Sequence, residues 1–285
     1  MNRKTIIRKA IAKALRMRRS AGYCLKKSIC VYDLAQRLGI EVRFLDIPSM
    51  EGMYHRAPKP HIILSSLRPP GRRAFTCAHE LGHHSYDDGT HVDEFVEQWE
   101  RPRFDPKEFA ADCFAGALLI PKMAVERAFA LRNWSISRCT PGQIYVVSNY
   151  FGVGYTTLLH HLRDALSLLP GPRAEQLLKV TPRRAQSLSL GWETLETVWI
   201  VDEYWLGRPI DVEVGDLIFV LGQPCPEGRC VEHVADRDGG RLFRAQQPGI
   251  GRLEDSSGWS AFTRVSRREF VGRNLFRHQE EVDDG

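Results

Sequence analysis

The chain has 285 residues, of which 43% are hydrophobic and 26% are charged, and its formal net charge is +5. This composition is typical of a globular protein that is long enough for two or three modules. No run of about 18 apolar residues occurs, so we expect no segment that spans a membrane.

The positive charge is concentrated at the N-terminus, where ten Lys or Arg and no acidic residue lie between Met1 and Lys27. Such a surface can bind nucleic acid, although a solvated helix face has the same composition. No apolar block of the kind found in signal peptides follows it. Seven scattered cysteines favour reduced thiols over a disulfide framework. We therefore expect a cytoplasmic protein.

The hydrophobic periodicity predicts alternating helices and strands in the first part of the chain. The predicted elements are helices over 4–19 and 31–39, strands over 41–45 and 61–64, a helix from 69 to about 87, and a helix over 104–119 that ends before Pro121. A loop rich in charge and proline is expected between the last two helices. Residues 1–121 are therefore predicted to form an α+β domain.

The rest of the chain divides into a helical part and a strand-rich part. Residues 122–170 are predicted to be helical, and 143–152 and 154–162 have the spacing of a helix-turn-helix. The second of these helices has few Lys or Arg, which favours a structural or partner-docking role over DNA binding. A linker is predicted over 171–190, and 191–285 is predicted to be a small β-rich domain and a candidate sensor.

A short motif on the helix after residue 69 has the chemistry of a zinc site. His79 and His83 are four residues apart, so their side chains lie on the same helix face and can bind one metal ion. Glu80 lies one step round the helix, where a carboxylate can reach water without binding the metal. Zinc lowers the pKa of water from 15.7 towards about 7, which supplies the nucleophile that amide hydrolysis needs.

A catalytic zinc site needs a third protein ligand and an open fourth position. Glu108 on the next predicted helix is the candidate ligand, and Asp112, one turn later, can accept the free N–H of a ligand histidine. His91 is the main alternative as third ligand, followed by Asp87 or Asp88.

Cysteines offer two further metal-binding hypotheses. Cys113 directly follows Asp112 in the sequence. Its thiolate is a candidate inhibitory ligand at the open zinc position. The alternative is that Cys113 is a buried structural cysteine. Cys225, Cys230 and His233 resemble part of a second metal site. Their spacing is not that of a standard zinc finger, which favours isolated thiols.

Three separated motifs occur in order along the first 121 residues. They are Glu51–Tyr54 with Ile62–Leu64, Arg73–His83, and Glu108–Pro121. Together they closely resemble the ImmA/IrrE family of metallopeptidases, from about Val31 to Pro121, with weaker resemblance to about Leu169.

The resemblance implies a zincin-like first domain in which His79, His83 and Glu108 bind Zn²⁺ and Glu80 is the base. It also implies that the substrate is a repressor of the helix-turn-helix type, whose cleavage switches on genes for the DNA-damage response, mobile-element transfer or anti-phage defence. The substrate strand is expected to pair beside residues 52–54, if that segment is a sheet edge.

We therefore expect a site-specific zinc endopeptidase that cleaves a partner repressor. The alternatives are a DNA-binding regulator, or a repressor-binding module, whose peptidase-like domain does not cut. Single-stranded DNA is the expected activator. Its predicted contacts are basic residues of the first helix: Arg3, Lys4, Arg8, Lys9, Arg16 and Arg18.

Overall fold

The computed structural model describes residues 2–94, 104–205 and 208–279, with the backbone alone for 91–94. The helices are α1 (Arg3–Ser20), α2 (Val31–Arg37), α3 (Pro70–Tyr86), α4 (Pro106–Leu119), α5 (Lys122–Leu131), α6 (Pro141–Phe151), α7 (Tyr155–His160), α8 (Gly171–Leu178) and α9 (Pro182–Leu190). None of these helices within the described ranges is long and apolar enough to cross a bilayer.

The strands are β1 (Glu41–Leu45), β2 (Met50–His55), β3 (His61–Ser65), β4 (His91–Glu94), β5 (Val198–Val201), β6 (Ile210–Glu213), β7 (Leu217–Leu221), β8 (Cys225–Glu227), β9 (Val231–Arg237), β10 (Gly240–Ala245), β11 (Gly249–Glu254), β12 (Ser260–Ser266) and β13 (Gly272–Arg273). They form one five-stranded sheet, β13-β1-β3-β2-β4, and two four-stranded sheets, β5-β7-β10-β9 and β6-β12-β11-β8. The mixture of helices and sheets confirms the predicted α+β class.

The helix α4 packs on both α1 and α3. Its second half is buried on nearly all sides, because the residues there are small or apolar around the whole helix. The helix α1 presents a buried stripe of Ile6, Ala10 and Ala14, with the four-residue spacing that is typical of one helix face. These contacts fix the position of α4 against the helix that carries the histidine motif.

Arg18 continues the buried stripe of α1 rather than its exposed basic face. Its guanidinium donates to the carbonyl oxygens of Leu118 at 2.7 Å, Cys24 at 2.8 Å and Lys27 at 2.6 Å. The prediction that Arg18 contacts nucleic acid is therefore wrong. The other basic residues predicted for that surface are exposed: Arg3, Lys4, Arg8, Lys9 and Arg16.

The strand β2 has a neighbour on both sides. It is antiparallel to β3 and also to β4, which places Gly52 opposite Asp93 and Tyr54 opposite His91. The sequence predicts a loop where β4 lies, because a four-residue strand is too short for a clear alternation. The segment 52–54 is therefore not a sheet edge, and a substrate strand could pair beside β2 only by displacing β4.

The segment predicted as a linker, 171–190, contains α8 and α9. Each helix has proline in its first turn, a position where the missing N–H costs nothing and the fixed φ favours a helix. Ala174, Leu177 and Ala185 are buried against the rest of the core. The prolines that suggest a linker in the sequence thus mark the starts of two helices.

The C-terminal strands join the first part of the fold through pairing and buried ion pairs. β13 extends the five-stranded sheet by pairing with β1. Arg132 makes a bidentate pair with Asp202 at 2.7 and 2.8 Å. Arg264 connects Asp211 to Asp33 of α2. The predicted domain boundaries stay predictions, since the buried apolar side chains of all these parts form one cluster.

Candidate metal centre

The two histidines of the motif lie on the buried face of α3. Pro69 and Pro70 begin this helix, and it ends where Asp87 adopts a left-handed conformation at φ 62°. His79 and His83 are 6% and 0% exposed, and their Nε2 atoms are 3.0 Å apart. The four-residue spacing thus directs two imidazole nitrogens to one point.

The helix α4 brings a carboxylate to the same point. Asp105 caps this helix by accepting a hydrogen bond from the Lys107 backbone N–H at 2.7 Å. The Glu108 Oε2 atom is 3.2 Å from Nε2 of His79, and Oε1 is 3.4 Å from Nε2 of His83. The three side chains form a group whose potential ligand atoms lie within 4.8 Å of one another.

A glycine on α3 permits this approach of the two helices. A Cβ atom at Gly82 would lie 3.1 Å from Cα of Ala111 and 3.3 Å from its Cβ. A larger residue at either position would push α4 away from α3. Small residues at the contact are therefore what allows Glu108 to reach the histidines.

A carboxylate lies behind each imidazole ring. Asp112 Oδ1 is 2.9 Å from Nδ1 of His79, and Asp88 Oδ2 is 3.3 Å from Nδ1 of His83. With a proton on Nδ1, each ring donates to its carboxylate and turns the lone pair of Nε2 towards the common point. The sequence predicts this position for Asp112. It misses Asp88, which reaches His83 because the left-handed turn at Asp87 folds the chain back over the helix end.

Glu80 is fully buried in α3 beneath the strand β2. A Cβ atom at Gly52 would lie 2.9 Å from Oε1 of Glu80 and 2.5 Å from Cγ2 of Thr76. A side chain at this point of β2 would therefore displace Thr76 and Glu80. Glu80 lies beside the ligand group without belonging to it, which is the position that a general base needs.

The three side chains fit a catalytic zinc ion. Ligand atoms about 2.0–2.2 Å from a tetrahedral zinc lie about 3.3–3.6 Å from one another. The separations of 3.0, 3.2 and 3.4 Å are close to that range. Two imidazoles with one carboxylate are also a donor set that catalytic zinc sites use.

Comparisons with known proteins agree with this geometry. A family model described as Peptidase_M78, IrrE N-terminal-like domain, matches residues 35–163. The matched residues make up a little under half of the chain. The match confirms the resemblance seen in the motifs, and the matched range contains all three potential ligands.

One solved structure that is similar to part of the chain is a Mycobacterium tuberculosis transcriptional regulator, with 24% identity and a TM-score of 0.37. The similarity covers 54% of this chain and 46% of that protein, so the chain spans less than half of its length. No curated protein matches the chain significantly.

The helix-turn-helix-like segment lies within the matched range, and its second helix packs into the core. Leu158 and Leu159 of α7 are both buried. Nε2 of His161, just after α7, is 3.0 Å from the carbonyl oxygen of Ile120. The ring also packs on α4, since a Cβ at Gly116 would overlap its Nδ1. This burial favours the structural role over DNA contact.

The remaining candidates for the third ligand have different positions. The side chain of His91 lies outside the described residues, although its backbone pairs with β2. Asp87 makes an exposed ion pair with Arg56 at 2.5 Å. The Asp88 carboxylate contacts Nδ1 of His83 and lies 3.5 Å from Nζ of Lys107, so it is not directed at the common point of the Nε2 atoms. Among the described side chains, the geometry thus favours Glu108.

The cysteines lie apart from the ligand group in the described part of the chain. Cys113 is buried, and burial with the nearby Asp112 carboxylate raises the pKa of its thiol to about 12. Its inhibitory role stays a prediction. Cys225 is exposed, whereas Cys230 is buried beside Thr263 at 3.5 Å. Within the described ranges, Cys225, Cys230 and His233 do not form a group of converging ligand atoms, which favours isolated thiols over a second metal site.

Proposed function

We propose that this chain is a site-specific zinc endopeptidase that cleaves a partner repressor of the helix-turn-helix type and thereby switches on a stress or defence operon. The observation that supports the peptidase is the convergence of His79, His83 and Glu108, with Glu80 buried beside them. The Peptidase_M78 domain supports the same chemistry. The repressor, and the kind of operon, rest on the family resemblance.

Each residue of the site has a separate role in the proposed hydrolysis of a peptide bond. His79, His83 and Glu108 would hold a zinc ion, which would supply Lewis-acid chemistry for the attack of water on a peptide carbonyl. Glu80 accepts the proton of the attacking water and then donates it to the amine nitrogen that leaves. The carboxylates behind the two imidazoles fix the tautomer and the direction of each ring.

The alternatives, a DNA-binding regulator or a repressor-binding module, do not require Glu80. Burying a carboxylate costs free energy, so a domain that does not cut gains nothing from keeping one at this point. The chain has both Glu80 and the glycine at 52 that makes room for it. This pairing supports the cutting enzyme over a domain that has lost its activity.

The test first asks whether the reading frame beside this gene encodes a helix-turn-helix repressor, and then uses that repressor as substrate. We expect fragments from wild-type protein loaded with zinc, and none from Glu80→Gln, which should keep its zinc. Glu126→Gln is the matched control, because Glu126 is an exposed residue of α5 whose ion pair with Lys122 spans 3.8 Å. Repressor that is bound but left whole by the wild type would support the non-cleaving module instead.

We also propose single-stranded DNA as the activator, bound by the exposed basic face of α1. This helix packs on α4, which carries Glu108, and Nζ of Lys13 lies 4.1 Å from the ring centroid of Tyr86 at the end of α3. A polyanion on α1 is therefore close to both ligand helices. Its affinity should fall steeply with salt.

Charge reversal tests this activator. The variant with Arg8→Glu and Arg16→Glu should lose DNA stimulation and keep its zinc. Arg229→Glu is the control and should behave as wild type, since Arg229 is exposed between β8 and β9, far along the chain from α1. Cleavage that is indifferent to DNA at low salt would exclude this role for α1.

A further inference from the structure

A cavity of about 60 Å³ lies between the first turns of α3 and the C-terminal strands. We name it the junction cavity. One water molecule needs about 10–15 Å³ by this measure, so the cavity has room for about four to six non-hydrogen atoms. Among the residues that line it are Phe44, Arg73, Trp199, Arg208, Glu213 and Phe270.

Arg208 lies in the wall of the junction cavity and makes no ion pair with any residue that the structure describes. The residue is only 8% exposed. Among the described residues, its Nη1 donates to the carbonyl oxygens of Tyr150 and Asn149 and to Oγ of Ser28 at 3.1 Å, and none of these partners is charged. Its Nε has no hydrogen-bond partner there.

The other charges of the wall are matched. Arg73, which is 6% exposed, pairs with Glu213, yet its Nε also has no hydrogen-bond partner among the described residues. Asp211 pairs with Arg277 at 3.2 Å. The described residues of the wall therefore offer two buried N–H donors, and their arginines outnumber their carboxylates by one. A buried charge without a counterion is costly, and an anion bound there would remove that cost.

The rest of the wall is apolar and favours a ligand with a short hydrocarbon part. Phe44, Trp199 and Phe270 are each at most 8% exposed. His278 also lines the cavity and carries no charge at neutral pH, since burial lowers its pKa to about 4. We propose that the junction cavity binds a small monocarboxylate of about four to six non-hydrogen atoms. Its carboxylate accepts from Arg208 and Arg73, and its short chain lies against the aromatic side chains.

This site is separate from the proposed peptidase centre but is joined to it by one helix. Arg73 and the ligand histidines both belong to α3. Binding can nevertheless be measured without zinc and without any substrate. A failure of the peptidase proposal would therefore leave the test of the junction cavity intact.

The test compares propionate with propionamide, which have the same shape and differ in charge. Calorimetric titration and thermal unfolding of the full chain are run at equal ionic strength, with chloride as the reference anion. We expect saturable binding of propionate and a higher Tm, with propionamide at least tenfold weaker. Arg208→Gln should weaken propionate at least tenfold, and Arg229→Gln, at an exposed arginine, should not.

Three results would overturn the proposal: no saturable binding of propionate, equal binding of acid and amide, or unchanged affinity in Arg208→Gln. The first of these means that the cavity holds water only. If Arg208→Gln does not fold, the comparison of acid with amide on the wild type still decides. In that case Arg208→Lys is used as the variant instead. It keeps the positive charge and should bind propionate more weakly than the wild type.

Discussion

The carboxylates behind the two histidines should contribute unequally to zinc affinity. Asp112 is closer to its imidazole, 2.9 Å against 3.3 Å for Asp88, but its side chain is 57% exposed against 14%. When the exposed Asp112 carboxylate is removed, water can take its place beside His79. His83 is fully buried, so water cannot readily replace Asp88. Losing such a partner costs about 10- to 100-fold in metal affinity. We assign the lower end to Asp112→Ala, about 1.4 kcal/mol, and the upper end to Asp88→Ala, about 2.8 kcal/mol.

Competition with a chromogenic chelator measures these affinities directly. Asp88→Asn and Asp112→Asn keep a hydrogen-bond acceptor and should recover part of each loss. Asp236→Asn, in a distant exposed pair with His233, serves as the control. Thermal unfolding of the metal-free variants separates loss of affinity from loss of fold. A larger effect at Asp112 than at Asp88 would show that distance outweighs burial, contrary to this reasoning.

Further variants test the other parts of the site. Glu108→Ala should lose zinc by elemental analysis; normal zinc content would make His91 or an aspartate the third ligand. Gly52→Ala should destabilise the fold by about 1–3 kcal/mol in urea and lower cleavage with zinc retained, because its Cβ overlaps the side chains beneath β2. Cys113→Ser should raise basal cleavage if the thiolate blocks the open zinc position; unchanged cleavage would make Cys113 a buried structural cysteine. Burial lowers the pKa of His161 to about 4. As the pH is lowered, His161 is protonated in the unfolded state before it is protonated in the folded state. The free energy of unfolding should therefore fall by about 3 kcal/mol between about pH 6.5 and about pH 4. Urea unfolding measures this at several pH values, and the free energy of unfolding should depend less on pH in His161→Gln than in the wild type.

Periodic segments were predictable because their local pattern and their final packing agree. The strand β1 has the predicted bounds, and α3 covers the predicted range from the proline pair to the Asp-Asp-Gly turn. The ligand pair follows from helix geometry alone, since four residues make about one turn. Glu108 was harder to predict. Its place depends on how closely α4 packs on α3, which the small side chain at Gly82 decides.

Features that depend on the path of the chain after a helix could not be predicted. The strand β4 forms because the left-handed turn at Asp87 returns the chain to β2. The same turn places Asp88 behind His83. Arg18 looks like part of a basic surface in sequence, but three carbonyl oxygens at the ends of other segments make it a buried residue. In each case the contact depends on the direction of the chain after a helix ends, which hydrophobic periodicity does not report.

The C-terminal strands pack into the same fold as the candidate metal centre, which affects how a sensor in those strands would act. β13 forms one edge of the sheet that contains β2, so the two strands are separated by β1 and β3. Arg73 connects the first turns of α3 to Glu213 of β6. A shift of the C-terminal strands would therefore displace the surroundings of Glu80 by two routes. One route runs through the sheet to Gly52 of β2, and the other runs through Arg73 to α3, which carries Glu80. Such coupling requires no hinge or linker, because packed elements transmit displacement directly.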